Sequence, residues 1–245
     1  FKLVQALQTE LDGLPDGYEK WLLDLVALGT VCDIVTLADE NRANVYWGLE
    51  VLKKQRRPGL KALMSVAGIE PKKVNARHLG FGLGPRMNAA GRLETAQYAL
   101  DMLTASDGLE ALEASEKLEE LNIKRRSIQD EIFDEACQQA DNMTDDRVLV
   151  VNSDNWNHGV IGIVASKLVE KYKKPVFIIG ERGDEATGSA RSFGDFSAAD
   201  AVRAADDIII KGGGHGAAAG VTLATERIDD FRRRVNEFYD SLQLK

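Results

Sequence analysis

Residues 80–93 combine glycines with groups that can bind an anion. The segment reads Gly-Phe-Gly-Leu-Gly-Pro-Arg-Met-Asn-Ala-Ala-Gly-Arg-Leu and brings Arg86, Asn88 and Arg92 close together in sequence. A guanidinium group binds two phosphate oxygens at once, and glycine lets a ligand approach the main chain. Because glycines and a proline interrupt helical sequence here, we expect an irregular loop that binds phosphate. Two surface arginines in ordinary salt bridges are the alternative interpretation.

A second glycine-rich segment, residues 211–220, surrounds a histidine. It reads Lys-Gly-Gly-Gly-His-Gly-Ala-Ala-Ala-Gly, so little but main chain stands beside His215. Consecutive glycine N–H groups can form an anion-binding nest, and imidazole can donate a hydrogen bond. We therefore expect Gly213, Gly214 and His215 to bind an anion in a glycine turn, since neither a P-loop nor a dinucleotide fingerprint is present. A close-packed turn beside a core histidine is the alternative.

Three further residues could extend an anion site. Ser189 and Arg191 alternate along an expected strand, and side chains two apart share one face of a strand. A hydroxyl beside a guanidinium suits a phosphate, although a solvated edge strand would show the same pattern. His158 stands just before a helix start, where main-chain N–H groups favour anions. It would either touch a substrate or only cap the helix.

Asp33 lies in the apolar run Leu-Gly-Thr-Val-Cys-Asp-Ile-Val-Thr-Leu, residues 28–37. A buried carboxylate is unfavourable unless something pairs with it. One explanation is a helix cap or a hydrogen-bonded turn. The other is a ligand for Mg²⁺ or Mn²⁺, because these cations favour oxygen donors. Spacing alone favours the cap.

The composition is that of a folded protein with a substantial core. The 245 residues are 44% hydrophobic and 29% charged, with a net charge of −8, which excludes collagen-like and disordered classes. No apolar run approaches the roughly 20 residues of a membrane-spanning helix, and two cysteines cannot form a disulfide framework. We expect a cytoplasmic protein without a membrane partner. The acidic balance argues against binding polyanions through bulk charge but allows a local basic groove.

Hydrophobic periodicity predicts a helical first half and an alternation of strands and helices in the second half. Helices are expected over residues 1–11, 18–28, 40–55 with Asp39 as a cap, 59–67 and 94–104, with a turn over 13–17. A long helix is expected over 107–141, with an apolar seam of Leu109, Leu112, Leu118, Leu121, Ile128 and Ile132. Strands are then expected over 147–152, 175–179, 185–192, 207–210 and 217–223, and helices over 159–172, 197–205 and 225–242. The pattern indicates two compact bodies, one helical and one α/β, joined by the long helix.

The order of these motifs resembles the RecJ single-strand-specific DNA exonucleases, which belong to the DHH/DHHA1 phosphoesterases. The matching segments are residues 28–33, 84–93, 156–166 (Trp-Asn-His-Gly-Val-Ile-Gly-Ile-Val-Ala-Ser), 188–192 and 213–215. The resemblance covers nearly the whole chain, and residues 84–93 are specific to RecJ-like members. It implies an α/β fold in which residues 1–105 are the helical C-terminal part of a DHH catalytic domain. Residues 106–142 would be a connector helix, and 143–245 a smaller, mixed-sheet DHHA1 nucleic-acid-binding domain.

The resemblance also implies an activity and its residues. Such enzymes degrade single-stranded DNA from the 5′ end in repair and recombination, with two divalent ions, Mn²⁺ or Mg²⁺, and grip the strand between two bodies. Asp33 matches the last metal-ligand aspartate of the DHH domain. The strand-gripping loop corresponds to Arg86, Asn88 and Arg92, and the contacts with the 5′ phosphate and backbone to Ser189, Arg191 and His215.

One departure limits what this chain is expected to do. It contains no Asp-His-His motif, and a two-metal site needs several ligands. We therefore expect a fragment that binds single strands without hydrolysing them, from a parent that is a nuclease. Single-stranded DNA is the expected partner, with a single-strand-binding protein and a helicase as further partners. The alternatives are a DHH/DHHA1 phosphodiesterase for oligonucleotides or cyclic dinucleotides, and a non-catalytic nucleic-acid-binding module.

Overall fold

The computed structural model describes residues 1–8, 10, 13 and 15–242. The chain divides into two compact units, residues 1–124 and residues 125–245. The helix expected over 1–11 includes Thr9 and Leu11, and the turn expected over 13–17 includes Leu14. These three residues lie outside the described part. Within that part, none of the helices has the length and apolar character that crossing a membrane requires.

The first unit is built from helices. They are α1 (Lys2–Leu7), α2 (Leu23–Cys32), α3 (Asp39–Leu52), α4 (Pro58–Val66), α5 (Ala76–His78), α6 (Gly84–Leu93) and α7 (Gln97–Thr104), with 3₁₀ turns at Tyr18–Leu22 and Pro71–Lys73 and a π-helix at Leu79–Leu83. Pro58 occupies the first position of α4, where a missing N–H breaks no helical hydrogen bond. The core is apolar, with Leu28, Leu63, Leu79 and Met102 among its buried members.

Several helix starts differ from the expected ones, and two of them depend on residues near the cap. Ala38, not Asp39, is the N-terminal cap of α3, and no side chain caps this helix. Ala38 has the extended backbone of a cap residue, at φ −116° and ψ 163°, whereas Asp39 is the first residue of the helix and has a positive φ of 45°. Helix α7 begins at Gln97 rather than at residue 94, because the Thr95 hydroxyl accepts a hydrogen bond from the Gln97 N–H at 3.2 Å. Such a side-chain bond competes with helical pairing.

Helix α8 (Gly108–Asp141) is one helix of 34 residues, about 50 Å long at 1.5 Å per residue. The expected long helix is confirmed. The division between the two units falls inside it, after Lys124. Leu118 and Leu121 belong to the core of the first unit. The apolar seam is shorter than expected, since Leu109 and Leu112 are exposed.

The second half of α8 is part of the second unit. The Gln139 side chain donates to the Asn152 carbonyl at 2.8 Å and accepts from the Asn152 N–H at 3.1 Å. The Trp156 indole N–H donates to the Glu135 carboxylate at 2.7 Å. Ile132 is buried. These bonds and this burial make residues 125–141 an integral layer of the unit.

A mixed sheet forms the centre of the second unit. Its strands are β1 (Leu149–Ser153), β2 (Val176–Arg182), β3 (Glu185–Arg191), β4 (Lys211–His215) and β5 (Ala218–Ala224), and its helices are α9 (His158–Tyr172), α10 (Ala198–Arg203) and α11 (Ile228–Ser241). The order across the sheet is β1-β2-β3-β5-β4. Only β1 and β2 are parallel, and α9 supplies the crossover that parallel strands need. The expected fold class, α/β with a helical part and a smaller mixed-sheet part, is confirmed.

Two predictions near the C-terminal strands are wrong. Residues 207–210 form a turn instead of a strand, because Arg234 binds the Asp207 carboxylate at 2.9 Å and the Ala204 carbonyl at 3.0 Å. The expected glycine turn after them is strand β4, which pairs with β5 along its whole length. A glycine-rich segment can therefore be a regular edge strand when its neighbour supplies the register.

The two faces of the sheet are covered differently. One face packs against α10 and α11, where the Phe177 and Phe231 rings meet edge to face at 5.1 Å. Helix α9 packs on the opposite face along β2 and β3. On that same side Lys211, Gly213 and Gly220 are exposed. We call the α9-side positions of β3, β5 and β4 the open face.

Candidate nucleic-acid interface

The strand register brings predicted residues together on the open face. Residues directly opposite each other on paired strands share a face. Two rows result across β3, β5 and β4: Arg191–Ala218–His215 and Ser189–Gly220–Gly213. Neighbouring strands lie about 4.8 Å apart, so Arg191 and His215 stand about 10 Å apart. Between them the floor consists of small residues.

Glycine leaves this floor open for a ligand at two positions. A Cβ added to Gly213 would meet nothing within 4 Å, and one added to Gly220 would meet only the Gly188 carbonyl at 3.9 Å. The protein's own packing therefore does not explain these two glycines. Glycine at such positions leaves room for a ligand to approach the main chain.

The predicted glycine nest is wrong. Gly214 points to the opposite face, where an added Cβ would lie 2.3 Å from the Ala218 carbonyl oxygen, and its φ of +154° disfavours other residues. Residues 211–215 are an extended strand, and extended backbone does not converge successive N–H groups on one anion, as a nest does. Gly213 and His215 stay candidate binding residues, now through the open face.

Arg191 and Ser189 form one polar cluster. The Arg191 Nη1 donates to the Ser189 Oγ at 3.1 Å and to the Ala190 carbonyl at 2.8 Å. Both side chains are half-buried. Helix α9 approaches them closely, since a Cβ on Gly162 would lie 3.1 Å from Ser189 Oγ and 3.4 Å from Arg191 Nη2. The cluster therefore has a fixed position beside the exposed floor.

His158 does not cap α9. The cap is Asn157, whose Oδ1 accepts from the Gly159 N–H at 2.9 Å. The His158 ring lies over Gly180, where an added Cβ would be 2.8 Å from Nε2. Gly180 pairs with Thr187, so the half-buried His158 stands beside the open face at the N-terminus of α9.

In the first unit, the predicted irregular loop over residues 80–93 is wrong. The segment is the π-helix Leu79–Leu83 followed directly by α6. Its glycines allow close packing instead of loop conformations: a Cβ on Gly84 would lie 2.5 Å from Cys32 Sγ. Burial raises the pKa of the Cys32 thiol, so this atom acts as a neutral packing partner.

The Arg86 side chain bonds to other residues of the first unit. Its Nη1 donates to the Gly82 carbonyl at 2.7 Å, within the π-helix, and its Nε forms an ion pair with Glu119 of α8. Both side chains of this pair are mostly buried, with 16% and 22% exposed. The salt-bridge alternative is therefore correct for Arg86, and its role in gripping a strand stays a prediction.

Asn88 and Arg92 differ from Arg86. Both are exposed, and they lie four residues apart on α6, which places them on one helix face. Desolvation by neighbouring atoms lowers the pKa of the Arg92 guanidinium, although arginine keeps its charge at neutral pH. This pair is the first unit's candidate surface for a phosphate.

Asp33 is an exposed residue at the C-terminal end of α2. Its backbone N–H still makes a helical bond to the Gly29 carbonyl at 3.0 Å, and the helix ends here because the Asp33 backbone leaves the helical region at φ −90° and ψ 4°. The described residues contain no group of three or more His, Cys, Asp or Glu side chains that could hold a metal ion. Asp33 by itself does not make the expected two-ion site, so the described residues do not fit that site.

Sequence reasoning missed two contributors to the interface. Gly220 forms the middle of the floor, and Gly162 lets α9 approach Ser189 and Arg191. The run of small residues along 217–220 was visible in the sequence. The pairing of Gly220 with both Ser189 and Gly213 was not, because it depends on strand order.

Comparison with known proteins identifies a domain in the second unit and relatives along the chain. The model of the DHHA1 domain matches residues 145–241, which include the sheet and its open face. Over 244 residues the chain is 41% identical to the single-stranded-DNA-specific exonuclease RecJ of Bacillus subtilis. The chain is RecJ-like. It carries a DHHA1 domain, and its folded structure agrees with that likeness.

The structural comparison covers both units. The crystal structure of RecJ from Thermus thermophilus in complex with Mg²⁺ matches 94% of this chain with a TM-score of 0.85 and 32% identity. A structure of exonuclease RecJ bound to manganese matches 95% of the chain with a TM-score of 0.81 and 30% identity. The chain spans 30% of the length of the Bacillus subtilis relative and 35% of the Thermus thermophilus chain.

Proposed function

We propose that this chain is the strand-binding part of a single-stranded-DNA-specific exonuclease. The whole protein would hydrolyse phosphodiester bonds in the 5′-to-3′ direction, with Mn²⁺ or Mg²⁺, in DNA repair and recombination. The observation that carries the proposal is the open face, where Arg191, Ser189 and His215 border a floor of glycine that the protein's own packing leaves uncovered.

The chemistry of the open face suits a sugar-phosphate backbone. A guanidinium and a hydroxyl donate to phosphate oxygens, and a charge-assisted bond is about twice as strong as a neutral one. The side chains of β3 and β4 are about 10 Å apart, which is twice the spacing of neighbouring β-strands. This distance leaves room for one DNA strand on the floor. The flat floor offers no donor pattern that reads base edges, which fits binding without sequence preference.

The first unit would supply a further phosphate contact of its own. Asn88 and Arg92 are exposed on one face of α6, and both can donate to phosphate. Asp33 would be one metal ligand of the whole protein. We expect this chain to bind without cleaving, because Asp33 has no partner ligands among the described residues. A single-strand-binding protein and a helicase would be partners of the whole protein in the cytoplasm.

Fluorescence anisotropy with an oligothymidylate labelled at its 3′ end tests the proposal. Arg191→Ala should weaken binding about tenfold or more, since a hydrogen bond to a charged group contributes about 1.5–3 kcal/mol. Arg203→Ala is the matched control: it removes the same charge from an exposed position on α10, which packs on the other face of the sheet.

The control should change the affinity less than twofold, and duplex DNA should compete poorly. Equal affinities of the wild-type chain, Arg191→Ala and Arg203→Ala would contradict the proposal. Measurable release of nucleotides by the purified chain with Mn²⁺ would contradict the expectation that this chain does not cleave DNA.

A further inference from the structure

A third row of polar side chains continues the open face beyond the two rows described above. Thr187 on β3 is opposite Thr222 on β5, which is opposite Lys211 on β4. Thr187 is four residues from Arg191, or about 13 Å along the strand. Successive rows are thus about 6.7 Å apart, comparable with the separation of neighbouring phosphates in an extended single strand.

These three side chains line one depression. It has a volume of about 350 Å³, and its remaining walls are mainly the glycines of β4 and β5. Thr222 is only 5% exposed. Within the described residues no hydrogen bond or ion pair is made by the side chains of Thr187, Thr222 or Lys211. Hydroxyl and ammonium groups that bond to no other part of the protein are available to a ligand that enters the depression.

The inner end of this row is also polar. Thr187 pairs with Gly180 of β2, and the His158 ring lies over Gly180. The row therefore runs from an imidazole through two hydroxyls to an ammonium. Within the described residues no carboxylate belongs to the row itself, and the exposed Glu185 stands in the next row of this face, opposite Ala224. The row offers an ammonium and hydroxyl donors, which favour an anion over a cation.

We infer that Lys211, Thr222 and Thr187 form a separate phosphate subsite, which receives the third phosphate of a single strand whose terminal phosphate lies on Arg191 and His215. The second phosphate would lie over the Ser189–Gly220–Gly213 row. This inference rests on the proposed function and deepens it, because it gives the strand a direction and a register on the sheet. Lys211 is the charged group of the subsite, and the two threonines orient the phosphate.

The test uses the full 245-residue chain and 5′-phosphorylated oligothymidylates of two, three and six nucleotides. Lys211→Gln should leave the affinity for the dinucleotide unchanged, because that ligand reaches only the first two rows. It should weaken binding of the three- and six-nucleotide ligands about tenfold and reduce the slope of log K against log salt by about 0.7. Thr222→Val, which keeps the shape of the side chain, should give a smaller loss with the same length dependence.

Lys173→Gln is the matched control, since it removes an exposed charge that has no ion pair within the described residues. It should leave all three affinities unchanged. A loss by Lys211→Gln that is the same for two and six nucleotides, or no loss at all, would overturn the subsite while strand binding by the wild-type chain still supported the proposed function. Absence of binding by the wild-type chain would overturn both.

Discussion

Residues 79–93 of the first unit and residues 211–220 of the second are both rich in glycine, and glycine has a different task in each. In the first segment the glycines lie under neighbouring side chains: a Cβ on Gly82 would be 2.9 Å from Ile69 Cδ1, and one on Gly84 would be 2.5 Å from Cys32 Sγ. In the second, Gly213 and Gly220 face open space. Gly82 and Gly84 thus serve internal packing, whereas Gly213 and Gly220 leave room for a ligand. Gly212 and Gly214 of the same sheet face the other side and are as closely packed as the helical glycines.

The largest effect that follows from this contrast is on binding. Gly213→Val places a branched side chain on the open face, where its Cβ would meet no atom of the protein within 4 Å. Strand affinity should fall about 100-fold, because the phosphate is lifted away from more than one charge-assisted bond. The free energy of unfolding should change by less than about 0.5 kcal/mol, since valine suits a strand. Anisotropy and urea unfolding measure the two quantities.

If Gly213→Val destabilised the chain and left binding intact, the assignment of this glycine to a ligand would be wrong. Gly213→Ala is a graded control. It should fold as well as the wild type and lose less affinity than the valine variant.

The next effect is on stability and belongs to the first unit. Gly84→Val forces a side chain against Cys32 and the Leu79 carbonyl oxygen, which would lie 3.1 Å from the added Cβ. Overpacking of this kind lowers the free energy of unfolding by about 1–3 kcal/mol. Strand affinity of the folded protein should stay within twofold. Urea unfolding, with anisotropy below the transition, separates the two outcomes.

If Gly84→Val were stable but no longer bound the DNA strand, Gly84 would have the role assigned to Gly213, which is to leave room for a ligand. Gly84→Ala, which adds a smaller side chain, should lose less stability than Gly84→Val.

The smallest effect distinguishes two arginines of the first unit. Arg92→Ala should weaken strand binding about threefold and reduce the salt slope by about 0.7, because an exposed phosphate contact is lost. Arg86→Ala should lower the melting temperature instead, since it leaves Glu119 mostly buried without its cation. Thermal unfolding of both variants, paired with anisotropy at two salt concentrations, checks the difference. The opposite assignment would show that Arg86, despite its ion pair, is the binding residue.

Much of the architecture could be predicted from local sequence. The long helix follows from 34 residues without an internal proline and rich in strong helix formers. The strand at Val176–Arg182 follows from its β-branched and aromatic run. In such segments local preference and tertiary context agree, so periodicity alone is sufficient.

The candidate site was harder to predict, because its geometry depends on distant partners. Strand β4 contains three glycines, which local preference disfavours in strands, and it forms only because β5 supplies the register. Arg86 was predicted to grip a ligand, but its partner Glu119 is 33 positions away on α8. The residue types of the site could be predicted from the sequence. The contacts that distinguish binding residues from packing residues could not.

The position at which α8 passes from one unit to the other decides where a truncated protein can begin. A truncated protein that began at residue 145, where the match to the DHHA1 domain starts, would lose Glu135 from the Trp156 indole and Gln139 from the Asn152 main chain. It would also expose the apolar surface that Ile132 covers. An expression boundary at residue 125 would retain this helical backing, and we expect only that longer piece to remain monodisperse.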